Sequence, residues 1–102
     1  MPAIRRVMRG NDEKEKRIWL TEFGVAACPA TPCCVGEATQ ADWLAKSLVL
    51  ASGWGYARAA IVFSLRDVGP TATINHRFGL LRRDFSPRPS YAAVSATLAT
   101  LP

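Results

Sequence analysis

Apolar positions along the 102-residue chain follow two spacings, one that suits helices and one that suits buried strands. Ile4, Val7 and Met8 fall at i, i+3 and i+4, the stripe of a short helix, and Gly10 after them suits a left-handed C-terminal cap. A polar connection, Asn11 to Lys16, leads into Ile18-Trp19-Leu20 and then Thr21-Glu22-Phe23-Gly24. Such a run, apolar on both faces, predicts a buried parallel strand. Val25 to Thr39 reads as a long loop rich in Pro, Ala and Cys. Thr39 with Asp42 three residues on approximates a capping box, and Leu44, Leu48 and Ala51 then share one face of a helix over 40–52.

A turn through Trp54, Gly55 and Tyr56 precedes Ala59 to Leu65, a second buried strand stopped by Arg66-Asp67. Val68 to Arg77 is a second long loop. Beyond Pro87 and Pro89, Tyr91, Val94, Leu98 and Leu101 recur at i, i+3, i+7 and i+10, which predicts a last helix. The order helix, strand, helix, strand, helix is that of an α/β protein with a parallel sheet. The connections that leave strand C-terminal ends are long and those that enter strands are short. A parallel α/β barrel has this asymmetry, because its active site is built from the loops after the strands. Two strands cannot close such a barrel, which takes eight strands and about 250 residues. The chain is therefore expected to be part of something larger, or to complete its sheet with another copy or another chain.

Composition adds few constraints. Hydrophobic residues make up 49% and charged residues 21%, as in an ordinary globular domain read here as a single unit over residues 1–102. No apolar run reaches the roughly 18 residues of a membrane-spanning helix, and the opening Met1 to Gly10 lacks the apolar stretch of a secretory signal peptide. The compartment stays open. A formal charge of +5 would admit an anionic partner, but Asp12, Glu13 and Glu15 interrupt the basic residues of the first segment. Arg77, Arg82, Arg83 and Arg88 form a second concentration, with Asp84 inside it and little of the aromatic interleaving that single-strand binders use. Neither a nucleic acid nor a membrane is expected as a partner.

Cys28, Cys33 and Cys34 lie in one loop, and His76, the only histidine, stands far from them. A zinc site would want four ligands at paired spacings, so no metal is expected. A local disulfide from Cys28 to Cys33 or Cys34 and three free thiols are both open, and the first would imply an oxidising compartment.

Glu22 is the most informative position. It closes an otherwise apolar strand, where in a barrel a carboxylate would point into the mouth, and by strict alternation it shares a face with Ile18 and Leu20. A carboxylate there is either a catalytic group or a surface acid opening a loop.

The string Arg17-Ile-Trp-Leu-Thr-Glu-Phe-Gly24 resembles the segment around the nucleophile of retaining glycoside hydrolases of the large (β/α)8 clan that includes cellulases and β-xylosidases. Gln40-Ala-Asp-Trp-Leu44 resembles the helix that follows, and Ala60-Ile-Val-Phe-Ser-Leu-Arg-Asp67 resembles the eighth strand. Phe78-Gly-Leu-Leu81 with Pro87-Arg-Pro-Ser-Tyr-Ala-Ala93 resembles the end of the barrel before its last helix. The resemblance covers nearly the whole chain. It implies the C-terminal third of such a barrel, from the end of helix six through helix eight, with Glu22 ending strand seven as nucleophile. The implied reaction is hydrolysis of O-glycosyl bonds in a β-linked poly- or oligosaccharide, without a cofactor. The acid/base partner would end strand four, upstream of this chain, so the 102 residues alone are expected to be inactive; Asp67 and Glu37 do not match the family's acid/base position.

The resemblance has departures. Members often carry a Trp on the eighth strand under the sugar, where this chain offers Phe63, which can stack on sugar or face the helix layer. Arg66 and Asp67 sit where substrate contacts occur, and an Arg–Asp pair there can equally be structural. Trp19, Trp43 and Trp54 read as packing between helix and strand. The competing reading is a non-catalytic remnant or interaction module whose exposed sheet edges pair with another chain.

Overall fold

The computed structural model describes residues 1–29, 32–69 and 73–102. Residues 30–31 of the first long loop and 70–72 of the second lie outside the described residues. The elements are α1 (Pro2–Gly10), β1 (Ile18–Phe23), α2 (Glu37–Ser52), β2 (Ala57–Val62), one 3-10 turn (Ile74–His76) and α3 (Pro89–Thr100). β1 and β2 pair in parallel, with Ile18 opposite Ala57, Leu20 opposite Ala60 and Phe23 opposite Val62. The crossover through α2 gives the expected α/β arrangement of two parallel strands and three helices.

α2 begins a turn earlier than its capping pattern predicts. Gly36 takes the N-cap position in an extended conformation, and Glu37 in the first turn is fixed by two arginines from the far end of the chain. Its buried face carries Gln40, Ala41, Leu44, Leu48 and Ala51, spaced as one stripe against α3 and the sheet. On α3 the buried residues are Ser90 and Val94, with Leu101 packed against the same core, whereas Tyr91 and Leu98 stay exposed. The predicted stripe was rotated because polar Ser90, not Tyr91, is what α2 receives. Leu44, Leu48, Leu80 and Val94 form the core, with Phe23, Val25, Val62 and Leu101 packed on it.

α1 ends differently from its sequence pattern. Gly10 is helical, the C-cap is Asn11 at φ −115°, and the left-handed position is Asp12 at φ 59°. An Asp tolerates that conformation better than most residues with a Cβ, which frees Gly10 from the role.

β2 starts two residues before its apolar run and stops at Val62. The reason is a change of partner. Ser64 N–H donates to Phe78 O, Leu80 and Leu81 N–H donate to Ser64 O and Leu65 O, and Asp67 N–H donates to Leu81 O, so residues 64–67 run alongside 78–81 rather than β1. Gly79 permits this, since a Cβ there would lie 2.3 Å from both Asp67 N and Leu81 O. α2 lies on one face of the sheet and α3 packs on α2, whereas α1 packs on none of the other elements. Trp19, Thr21, Glu22, Ile61 and Phe63 are exposed, and both outer strand edges lack a β-partner among the described residues.

Candidate active site

Glu22 stands one residue before the end of β1. Its alternation with Ile18 and Leu20 does not hold: those two are half-buried, while Glu22 is exposed together with Thr21. The strand pairing is irregular between Leu20 and Phe23, and such a slip turns two successive side chains toward one side. Among the described residues none forms an ion pair with Glu22.

Gly24 explains how the neighbouring strand end comes so close. A Cβ at Gly24 would fall 2.1 Å from Phe63 O, so only glycine admits this approach. Phe63 N–H donates to Phe23 O at 2.8 Å, and the Phe63–Ser64 peptide is cis. The Phe63 ring tilts against Phe78 with centroids 5.5 Å apart and remains 37% exposed, so it is not closed into the core. Glu22 and Phe63 thus stand on adjacent strand ends.

Arg66 and Asp67 turn elsewhere. The Arg66 guanidinium lies 4.3 Å over the Phe85 ring and donates to Arg83 O at 3.1 Å. Asp67 is 4% exposed, and its carboxylate accepts from both terminal nitrogens of Arg88, at 2.8 and 2.7 Å, and from Gly79 N–H at 2.9 Å. Arg88, 2% exposed, also donates to Gly79 O and to Glu37, which in turn receives a two-pronged contact from Arg82. Beside this group the buried Gln40 amide donates to Val25 O, and Ser90 donates to Gln40 Oε1 at 2.8 Å. The network ties the loop after β1, the start of α2, the segment after β2 and the start of α3 into one frame behind Glu22 and Phe63.

Burial alone would raise the Asp67 carboxyl, but the Arg88 and Gly79 hydrogen bonds and the Arg88 charge outweigh it and hold it below its ordinary 3.8. The hydrogen bond to Asp67, opposed by burial and aided by the charges of Asp67 and Glu37, pushes Arg88 further up, so it stays charged at every working pH. Asp84 is lowered by hydrogen bonds from the Ser86 hydroxyl and backbone. The sequence marks Arg82 and Arg88 only as members of a basic cluster. Nothing in local spacing shows that Arg88 pairs with residues 21 and 51 positions away.

Two of the three tryptophans, Trp19 and Trp43, do not pack between strand and helix, whereas Trp54 is half-buried. Trp19 is 62% and Trp43 51% exposed, because Trp19 lies on the bare sheet face and Trp43 beside the α2 stripe rather than on it. Trp54 stacks on Tyr56 at 5.8 Å.

Cys28 N–H donates to Val35 O and Val35 N–H to Ala26 O, which draws the two ends of the cysteine loop together. Cys28 and Cys34 then form a disulfide across a Cα separation of 5.8 Å, and Cys33 is a free, exposed thiol. Thiol titration of the denatured, unreduced chain should accordingly give one reactive cysteine, mapped to Cys33. Three reactive thiols would show the bridge absent. The described residues hold no group of three or more His, Cys, Asp or Glu side chains suited to a metal ion.

This arrangement is found in glycoside hydrolases. The two parallel strands and three helices reproduce a portion of solved structures of that class. A family 39 glycoside hydrolase from the gut symbiont Bacteroides cellulosilyticus WH2 is 34% identical over 96% of this chain, which covers 20% of that protein, with a TM-score of 0.74. A GH2 beta-galacturonidase from Eisenbergiella tayi bound to galacturonate matches 99% of this chain at 19% identity, covering 20% of its own, with a TM-score of 0.79. GH5_18 from Streptomyces cattleya in complex with GlcNAc matches 81% at 21% identity, again over 20% of that chain, with a TM-score of 0.68. The last two share the fold alone. The chain thus spans about a fifth of the length of the glycoside hydrolases it matches. No protein-family model and no curated protein matches it.

Proposed function

We propose that the chain forms the C-terminal part of a retaining glycoside hydrolase barrel, with β1 as strand seven, β2 as strand eight and α1 as the end of helix six. The observation that carries this reading is the parallel pairing of β1 and β2 with an exposed, ion-pair-free Glu22 at the C-terminal end of β1. In the assembled barrel Glu22 is the nucleophile that attacks the anomeric carbon of a β-linked poly- or oligosaccharide and forms a glycosyl-enzyme ester. Phe63 on the neighbouring strand end offers its exposed ring to the sugar. Arg66 and Asp67 act through the segment after β2, holding it in place, because their charged groups are engaged there.

Retaining hydrolysis needs a second carboxyl group about 5–5.5 Å from the first, to protonate the leaving oxygen and then to activate water. Asp67 is bound to Arg88 and Glu37 to Arg82 and Arg88, so neither is free to serve. General acid–base help is worth about 10²–10⁴ in rate. The isolated 102-residue chain should therefore show no turnover of aryl β-glycosides above background, measured by release of the coloured aglycone. Turnover by that chain would contradict the proposal that the acid/base group comes from the rest of the barrel.

A further inference from the structure

At the opposite end of the sheet from Glu22, where β1 and β2 begin, lies a cavity of about 420 Å³ that the proposed reaction does not use. Arg5, Arg9, Lys14 and Arg17 line it, with Glu15 and Tyr56. Six strand residues at about 3.3 Å each put some 17–20 Å between this cavity and the catalytic end.

Nine of the thirteen Lys and Arg side chains form no ion pair among the described residues, and four of these nine meet at this cavity. Arg82 and Arg88 share Glu37, Arg88 also holds Asp67, Lys16 holds Glu13 and Lys46 holds Asp42. Among the described residues, none of the four cations in the cavity wall has a carboxylate partner. Arg5 and Arg17 are nonetheless anchored. Arg5 donates to the carbonyls of Lys14 and Lys16 and sits 5.3 Å over the Tyr56 ring, and Arg17 donates to Gly55 O. Carbonyl partners position a guanidinium without neutralising it, and a guanidinium has five N–H donors to share.

We infer that this cavity is a binding site for an oxyanion, a phosphate or carboxylate group carried by a small molecule, which Arg5, Arg9, Lys14 and Arg17 hold by charge, with Glu15 at the margin of the same wall. Positioned guanidiniums suit the two-pronged geometry of both groups. The volume admits a ligand of the size of a sugar phosphate or a sugar acid. The site is independent of the glycosidase reading, since no residue of the catalytic end takes part.

The test is titration of the ¹⁵N-labelled 102-residue chain with inorganic phosphate, glucuronate and chloride at constant ionic strength, followed by NMR. Phosphate or glucuronate should give saturable shifts at Tyr56 and its neighbours where chloride gives none, and the tighter of the two identifies the group as phosphate ester or sugar acid. Among the described residues Arg9 and Lys14 make no side-chain hydrogen bond, so the double variant Arg9→Gln/Lys14→Gln should keep its circular dichroism and bind at least tenfold more weakly. Lys46→Gln on α2, away from the cavity, should leave binding unchanged. Shifts that do not saturate, that chloride reproduces, or that survive the double variant would overturn the site.

Discussion

Replacing Glu22 by Gln in the assembled barrel is expected to lower kcat by roughly 10⁴-fold or more, the scale on which loss of a nucleophile acts, with sugar binding largely kept. The amide preserves the size of the side chain but cannot form the ester. Because no ion pair ties Glu22 to the described residues, the change should leave the fold intact, with a melting temperature within a few degrees of the parent. Glu22→Ala separates chemistry from structure further. It opens room for azide to attack the anomeric carbon from the vacated side, so added azide should restore turnover and yield a glycosyl azide of inverted configuration. A variant whose activity falls because the sheet is disturbed would not respond to azide.

The second large effect is expected at the buried ion pair behind that site. Arg88→Leu leaves the Asp67 carboxylate inside the molecule without its partner, and breaking a buried pair in this way costs about 3–5 kcal/mol. A domain of this size has only about 5–15 kcal/mol in total, so the variant should unfold near room temperature or at much lower denaturant. The pair also sets the acid limb of stability. Asp67 is depressed in the folded state, so its contribution is fully present above its ordinary 3.8 and is lost as pH falls through the lower folded value. Asp67→Asn should lower stability at neutral pH and flatten its dependence on pH below the ordinary 3.8 of the carboxyl, followed by urea unfolding. Equal pH slopes in the parent and Asp67→Asn would show that the pair does not carry the acid sensitivity.

The chain's periodicities disclose elements and order better than faces. Strand and helix positions, parallel pairing and the place of Glu22 at a strand end all follow from local apolar spacing and from the handedness of a crossover through α2. The side on which Glu22 lies does not, because an irregularity between Leu20 and Phe23 breaks strict alternation. The exposure of Trp19 is equally hidden: an apolar strand looks buried on both faces whether or not this chain supplies both covers. The frame behind the site lay outside local pattern altogether. Arg88 joins Asp67, Gly79 and Glu37 through contacts that span up to 51 residues, and its burial depends on where α3 docks on α2. In the cysteine loop, the choice of Cys34 over Cys33 rests on the backbone pairing of Ala26 to Cys28 with Val35, which composition does not encode.

A nucleophilic Glu22 forms a covalent bond to the sugar, and that bond can be trapped. A barrel completed by the upstream strand–helix units would be incubated with an activated 2-deoxy-2-fluoro-β-glycoside, whose fluorine slows hydrolysis of the ester, then digested and mapped by mass spectrometry. The expected result is one added 2-fluoroglycosyl group on the peptide containing Arg17 to Gly24, assigned to Glu22 by fragmentation. A label on any other carboxylate, or continued turnover with no label, would contradict the assignment.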